Sequence, residues 1–126
     1  SNLQIQVGVV KFTELMMYIK ILDKFGTRCI ASQDGQALYD LVHPALSENQ
    51  RVDIDFGGVD IFASPFFNYS FGQLFNVLSQ ESLRENLHVT GENEIGRIII
   101  ERVIENSLIF RDKNVVLDTI NKVFEK

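Results

Sequence analysis

The segment from residue 51 to 74 constrains the fold of this chain most, because it predicts a strand, a turn and a helix in quick succession. In the run Val52-Asp-Ile-Asp-Phe, apolar and acidic residues alternate, which is the period of a strand covered on one face only. The pair Gly57-Gly58 predicts a turn that needs a positive φ angle. The segment therefore indicates a sheet with one buried face and a helix that follows closely.

Ser64 and Pro65 mark the predicted start of that helix, which we expect to run from Pro65 to Leu78. The Ser64 hydroxyl supplies the oxygen that an N-cap needs, and Pro65 suits the first helical position because its missing N–H is not required there. A helix start that follows a strand can also receive an anion, a phosphate or a partner. Ser64 is therefore predicted to be a cap worth about 1 kcal/mol. A second hypothesis makes it a phosphosite or anion site.

The residues before this segment predict strands and then a helix. The opening alternates like a strand from Leu3 to Val9. Residues 11–16 are ambiguous, because Phe12, Leu15, Met16 and Ile19 fit a helical stripe whereas Tyr18 to Leu22 fits a strand. A strand is favoured over 18–22, because Asp23-Lys24-Phe25-Gly26 looks like a hairpin connection into a strand over 27–31.

A helix capped by Ser32 follows, and its apolar stripe continues past Pro44. After the second helix, the pattern predicts a short strand over 87–89 and a turn at Thr90-Gly91. A third helix is predicted over 92–109, with an apolar side formed by Ile95, Ile99, Ile100, Val103, Ile104 and Leu108. An amphipathic helix carrying Val116, Ile120, Val123 and Phe124 is predicted at the end.

Strands that alternate with helices predict an α/β fold with parallel strand pairs joined by right-handed crossovers. The acidic residues Asp53 and Asp55 on an interior strand indicate that helices lie mainly on one sheet face, because a doubly wound sheet is apolar on both faces. We expect a two-layer sandwich with a mixed sheet, in which the early strands are antiparallel. The 126 residues fit a single domain, 1–126, and no repeat or interdomain linker is seen.

Composition excludes several functional classes. The net charge of −5 argues against nucleic-acid binding, which needs a basic surface. No apolar run reaches the length of a membrane span, and no secretory signal is recognisable. The single Cys29 cannot form an internal disulfide, which fits a cytoplasmic location.

Candidate chemical groups are present but are not arranged for catalysis. Asp53, Asp55 and Asp60 have no further ligand nearby, and pairing of the strand carboxylates with Lys20 or Arg51 is expected. The two histidines, His43 and His88, and the thiol Cys29 have no partner at a catalytic or metal-binding spacing, and Cys29 is expected in the core. No phosphate-binding glycine motif follows Gly57-Gly58. The sequence therefore predicts a domain that is not an enzyme, with no catalytic residue, cofactor or metal.

Aromatic residues near the start of the second helix are candidates for a partner surface. Phe67, Phe71, Leu74 and Leu78 form the predicted core stripe. Phe66 and Tyr69 project away from that stripe, and Phe62 lies just before the helix. These three aromatics could form an exposed anchor for a protein partner or could pack against a neighbouring helix.

Where the strand meets the helix, the chain resembles the STAS-like family of bacterial domains. The resemblance rests on Val52-Asp-Ile-Asp-Phe-Gly-Gly-Val, Ala63-Ser-Pro-Phe-Phe-Asn, Gly72-Gln-Leu and Arg102-Val-Ile-Glu-Asn, and it covers about residues 19–109. The N-terminal strand and the C-terminal helix are additions to it. STAS domains include the anti-sigma-factor antagonists, in which a kinase-like ATPase phosphorylates a serine at the equivalent helix start.

The resemblance implies a protein-interaction domain in bacterial signal transduction, with a histidine-kinase-like ATPase or an anti-sigma-type regulator as partner. Pro65 stands where the antagonists carry the phosphorylated serine, and Ala63 stands where they carry an aspartate. Only Ser64 keeps a hydroxyl. The alternative function is a small-ligand or nucleotide sensor with a pocket at the start of the second helix.

Overall fold

The computed structural model describes residues 5–7, 10–12, 16–109 and 112–125. In chain order these residues form β1 (Ile5–Val7), β2 (Val10–Phe12), β3 (Met16–Lys20), α1 (Ile21–Phe25), β4 (Arg28–Cys29), α2 (Ser32–Ser47), β5 (Arg51–Asp55), β6 (Ile61–Phe62), α3 (Ser64–Phe67), a π-helical turn (Asn68–Gly72), α4 (Gln73–Val77), α5 (Gln80–Asn86), β7 (Leu87–Thr90), α6 (Glu94–Ser107) and α7 (Lys113–Phe124). The predicted mixture of strands and helices is confirmed.

Five strands form one mixed sheet in the order β1-β2-β3-β5-β7. The pairs β1–β2 and β2–β3 are antiparallel, whereas β3–β5 and β5–β7 are parallel. The two-residue strands β4 and β6 pair in parallel as a separate small sheet. The prediction of antiparallel early strands joined to a parallel sheet is therefore confirmed. Residues 3–4 and 8–9 of the predicted opening strand, and residues 13–15 of the ambiguous segment, lie outside the described residues.

The central strand β5 has one buried face, as its alternating sequence predicts. Val52 and Ile54 are buried, Asp53 and Asp55 are half-buried, and Arg51 is exposed. In register with the two buried residues, β3 contributes Met17 and Ile19 and β7 contributes Leu87 and Val89, all of them buried. Because side chains alternate between the faces of a strand, the core contacts one side of this sheet and the acidic side chains share the other.

The helix predicted from Pro65 has the expected length but is less regular than expected. α3, the π-helical turn and α4 follow one another without interruption between residues 64 and 77. The core stripe is confirmed, because Phe67, Phe71 and Leu74 are fully buried and Leu78 packs partly against the core. Phe66, Ser70 and Phe75 are buried as well, so this helix is covered over a much wider arc than one stripe.

The predicted hairpin at Asp23-Lys24-Phe25-Gly26 is wrong. Ile21 to Phe25 forms the short helix α1, and Arg28–Cys29 pairs with β6 rather than with β3. The reason is topological: β2 and β5 occupy the two edges of β3, so no edge is free for a following hairpin strand. Local turn residues cannot reveal that distant strands have taken both positions.

Helix boundaries and faces also differ in part from the predictions. Ser32 is the first residue of α2 rather than its cap, because Ala31 holds the N-cap position, while the helix does continue past Pro44 to Ser47. The helix α5 was not predicted. The helical pattern predicts Ile95 on the apolar side of α6, but its side chain is 63% exposed, so this prediction is wrong. The predicted apolar residues of the C-terminal helix, Val116, Ile120, Val123 and Phe124, are all buried.

Candidate functional site at the start of helix α3

Ser64 and Pro65 lie at the exposed start of α3, immediately after the small β4–β6 sheet. The backbone N–H of Ala63 donates to the carbonyl oxygen of Cys29 at 2.9 Å, which extends the strand pairing by one residue. Ala63 is therefore extended, with φ −134° and ψ 146°, and occupies the N-cap position. Ser64 is already helical.

The prediction that Ser64 caps this helix is consequently wrong. Among the described residues no side-chain hydrogen bond caps the start of α3, whereas Asn93 caps α6 through a 2.7 Å hydrogen bond that its Oδ1 accepts from the N–H of Gly96. The strand pairing at Ala63 shifts the helix start one residue earlier than the Ser-Pro pair indicates. As a result, the Ser64 hydroxyl is exposed and is not used by the helix.

Phe66 is fully buried, which contradicts its prediction as a surface residue. Its ring meets Phe25 of α1 edge-on, with 5.6 Å between ring centroids, and Phe67 at 4.8 Å. On the α2 side, a Cβ added at Gly35 would collide with the carbonyl oxygen of Phe66. The absence of a side chain at Gly35 lets α2 approach so closely that Phe66 is enclosed.

Phe62 is also buried, at 6% exposure, and does not contribute to the surface either. Its ring stacks on Phe67 with 5.8 Å between centroids, and a Cβ added at Gly96 of α6 would lie 2.6 Å from it. Two helix glycines, Gly35 and Gly96, therefore bring neighbouring helices over the two aromatics. Both glycines lie within predicted helices, and a helix interior disfavours glycine unless close packing requires it. These glycines were therefore the sequence feature that could have indicated that Phe62 and Phe66 are covered.

Tyr69 alone among the three predicted aromatics is accessible, at 49% exposure. Tyr69 belongs to the π-helical turn, which forms hydrogen bonds through both backbone carbonyl and side-chain groups. Gln73 Nε2 lies 2.6 Å from the carbonyl oxygen of Tyr69 and 2.6 Å from Oε1 of Gln36 in α2. The Ser70 hydroxyl donates to the carbonyl oxygen of Phe66 at 2.9 Å inside the core. These bonds hold the turn against α2 and present Tyr69 at the surface.

Ile61 is an exposed apolar residue that the sequence patterns did not single out. It is 45% exposed and lies in register with Arg28 of β4, which is also exposed. None of the salt bridges formed by the described residues includes Arg28. Four residues near the start of α3, in sequence or by strand pairing, are therefore exposed: Arg28, Ile61, Ser64 and Tyr69. We call these four residues the α3 surface.

The carboxylates of the opposite sheet face have structural partners. Arg51 forms the expected salt bridge with Asp53 at 2.8 Å. Asp55 accepts hydrogen bonds from the Tyr18 hydroxyl at 2.5 Å and from the N–H of Gly57 at 2.8 Å. The latter bond ties the end of β5 to the predicted turn, in which Gly58 has φ 85°. The hydrogen bond to Asp55, with burial as a second cause, raises the pKa of Tyr18 to about 12.

The thiol and the two histidines lie on separate elements, with Cys29 on β4, His43 on α2 and His88 on β7. Cys29 is fully buried, and burial, with a smaller effect of Asp34, raises the pKa of its thiol to about 12, so it is protonated at neutral pH. Nε2 of His88 lies 3.2 Å from the carbonyl oxygen of Glu85, while its buried Nδ1 has no hydrogen-bond partner in the described part of the chain. His43 contacts Tyr39, with 5.1 Å between ring centroids.

No group of three or more His, Cys, Asp or Glu side chains in the described ranges could hold a metal ion. Within the same ranges, no helix combines the length and hydropathy needed to cross a bilayer. Surface grooves of ≈ 300 to ≈ 480 Å³ are lined by described residues of α2, α5, α6, α7 and the segments beside them, and Ser64 lines none of these.

The chain matches no curated protein and no solved structure. Its residues 34–97, from α2 into α6, match the family described as a STAS-like domain of unknown function. This segment includes β5, the Gly-Gly turn and the start of α3, and the mixed α/β topology is consistent with a STAS-like fold. The chain belongs to the family of STAS-like domains of unknown function.

Proposed function

We propose that this STAS-like domain is a non-catalytic protein-interaction module of bacterial signal transduction that binds its partner through the α3 surface. The observation that supports this most strongly is the pair of exposed apolar side chains on either side of the Ser64-Pro65 helix start, Ile61 and Tyr69. Both lie in the segment that matches the family. Exposed isoleucine and tyrosine are effective partner anchors because they bury apolar area when a complex forms.

The chemistry of the α3 surface indicates what the partner should present. Arg28 can pair with an acidic group, and the helix start favours negative charge near Ser64. We therefore expect the partner to offer an apolar patch beside carboxylates, and by family resemblance to be a kinase-like ATPase or an anti-sigma-type regulator in the cytoplasm. We also infer a two-layer arrangement of the domain, supported by the burial of one side of β5.

The alternative, a small-ligand sensor, requires polar groups that converge on Ser64 in a concave site. The described grooves of ≈ 300 to ≈ 480 Å³ lie on other parts of the surface. Ser64 lines none of these grooves, and exposed Ile61 and Tyr69 lie near it in sequence, which supports protein binding over ligand binding.

The proposal is tested by identifying cross-linked partners from the native host and then measuring affinity with the purified partner. The double variant Ile61→Ser with Tyr69→Ser should weaken binding by about tenfold or more, since two apolar anchors are removed. Val77→Ser is the matched control, because Val77 is 60% exposed at the far end of the same helix. Equal loss of affinity in both variants, or none in either, would refute the α3 surface. Turnover of an ester, phosphoester or nucleotide that one substitution abolishes would refute the non-catalytic assignment.

A further inference from the structure

The helix α6 has a second, outward-facing stripe opposite the one it buries. Gly96, Ile100, Val103 and Ile104 face the core. On the outer side, Ile95 is 63% and Ile98 is 47% exposed, and Arg102 and Glu105 are exposed as well. The spacings along this stripe are three, four and three residues, so the four side chains share one face of the helix. This is the spacing by which one helix pairs with another.

The charges on this stripe are unpaired among the described residues. Arg97 and Glu101, on the neighbouring stripe, form a salt bridge at 2.8 Å. Arg102 and Glu105 take part in none of the salt bridges that the described residues form. The outer face of α6 therefore carries one positive and one negative side chain, three residues apart, beside the exposed Ile95 and Ile98.

An apolar groove lies at the carboxyl end of the same stripe. It has a volume of ≈ 320 Å³, and its lining includes Glu105, Ile109, Lys113, Val116 and Leu117. Ile109 is 70% and Leu117 is 44% exposed. The outer side of α6 thus offers two isoleucines near its start and an apolar recess near its end, with a pair of opposite charges between them.

We propose that two copies of this chain pair through α6, antiparallel about a two-fold axis that passes between Arg102 and Glu105. Each Arg102 then faces Glu105 of the other copy, and the symmetry makes this contact twice. The same register places Ile98 and Ile95 toward the carboxyl end of α6 in the other copy, where the exposed Ile109 and the apolar groove lie.

Charge complementarity selects a second copy in this orientation. In a parallel pairing each Arg102 would face its own equivalent, and like charges placed directly opposite each other repel. In the antiparallel pairing every charge on the stripe meets its opposite. The chain as a whole carries a net charge of −5, so two copies repel at long range. Local opposite charges and apolar burial must then hold the contact, and the stripe supplies both.

Sedimentation equilibrium of the purified chain over a range of concentrations tests the pairing. Wild type should show a reversible dimer, twice the mass of the 14.4 kDa chain. Ile98→Glu should raise the dissociation constant by about tenfold or more, because it places a carboxylate in the apolar contact. Val77→Glu, at an exposed apolar site on another helix, is the matched control and should leave the dimer unchanged. Circular dichroism establishes that both variants are folded.

A charge exchange tests the register. Arg102→Glu and Glu105→Arg should each weaken the dimer, since each sets like charges opposite each other. An equimolar mixture of these two variants should form a mixed dimer, because one chain then presents two carboxylates and the other two guanidinium groups. A wild-type chain that remains a monomer at all concentrations overturns the proposal. So does a dimer that is insensitive to Ile98→Glu, or a pair of charge variants that fail to associate when mixed while each is folded.

Discussion

The hydroxyl of Tyr18 donates a 2.5 Å hydrogen bond to the carboxylate of Asp55, across two parallel strands of the central sheet. The same carboxylate accepts the N–H of Gly57, so one side chain joins β3, β5 and the turn after β5. That turn leads to β6 and to the start of α3. The hydrogen bond therefore holds the end of β5 in place, and the chain continues from there to the α3 surface.

Tyr18→Phe should lower the free energy of unfolding by about 1–2 kcal/mol, because Asp55 loses a donor in a half-buried site. The pKa of Tyr18 is raised from 10.0 to about 12, so the folded state resists its ionisation. The stability that this shift supplies is complete below pH 10.0 and is lost as the pH rises from there to about 12. Between pH 10.0 and about 12, urea denaturation should show a smaller loss of unfolding free energy for Tyr18→Phe than for wild type. Tyr69→Phe, at an exposed tyrosine, is the control, and its free energy of unfolding should fall with pH as that of wild type does. If the unfolding free energies of Tyr18→Phe and wild type fell in parallel, the Tyr18–Asp55 hydrogen bond would not be the source of the effect.

Ser64→Ala should leave the free energy of unfolding within about 0.5 kcal/mol of wild type, because the hydroxyl is exposed and does not cap the helix. Asn93→Ala is the matched comparison, since Asn93 does cap α6, and it should cost about 1 kcal/mol. Thermal or urea denaturation of both variants measures the difference. A Ser64→Ala cost equal to that of Asn93→Ala would place the helix start one residue later. Loss of partner binding in a stable Ser64→Asp variant would support Ser64 as a phosphosite.

Phe66→Ala should destabilise the domain by about 3–5 kcal/mol, as expected when a fully buried phenylalanine is truncated. Tyr69→Ala, three residues further along the same helix, should cost less than about 1 kcal/mol because its ring is half exposed. Chemical denaturation measures the loss of unfolding free energy in each variant and so distinguishes a core residue from a surface residue. Similar costs for both variants would show that Tyr69 is as enclosed as Phe66.

Gly35→Ala should destabilise the domain by about 1–3 kcal/mol, although alanine is the better helix former. The added Cβ would collide with the backbone carbonyl of Phe66, which cannot move as a flexible side chain can. The denaturation midpoint measures the effect. Increased stability in Gly35→Ala would mean that α2 and α3 are farther apart than the structure has them.

The Cys29 thiol should react slowly with a thiol reagent at neutral pH, because burial raises its pKa to about 12 and excludes the reagent. Denaturant should restore the rate of an ordinary free thiol. The reaction is followed by absorbance with an aromatic disulfide reagent. Rapid modification of the folded protein would indicate that the β4–β6 sheet opens readily.

Much of the local structure followed from the sequence, because it depends on neighbours along the chain. The alternation in Val52-Asp-Ile-Asp-Phe determined which face of β5 is buried, and the helical stripes of Phe67, Phe71 and Leu74, and of α7, determined which sides of those helices meet the core. The residues of the strand–turn–helix segment also sufficed to indicate the family.

Tertiary structure alone decided which residues near the start of α3 are accessible. Phe66 lies off the apolar stripe of its own helix, yet α1, Gly35 and Phe67 enclose it, while Ile61 stays exposed in a segment that is apolar in sequence. The pairing of Ala63 with Cys29, which lies 34 residues earlier in the chain, shifted the helix start and left Ser64 without a capping role. Sequence periodicity indicates on which face of its own helix or strand a residue lies. Exposure here depends on how closely distant helices approach, and that distance is set by packing across the fold.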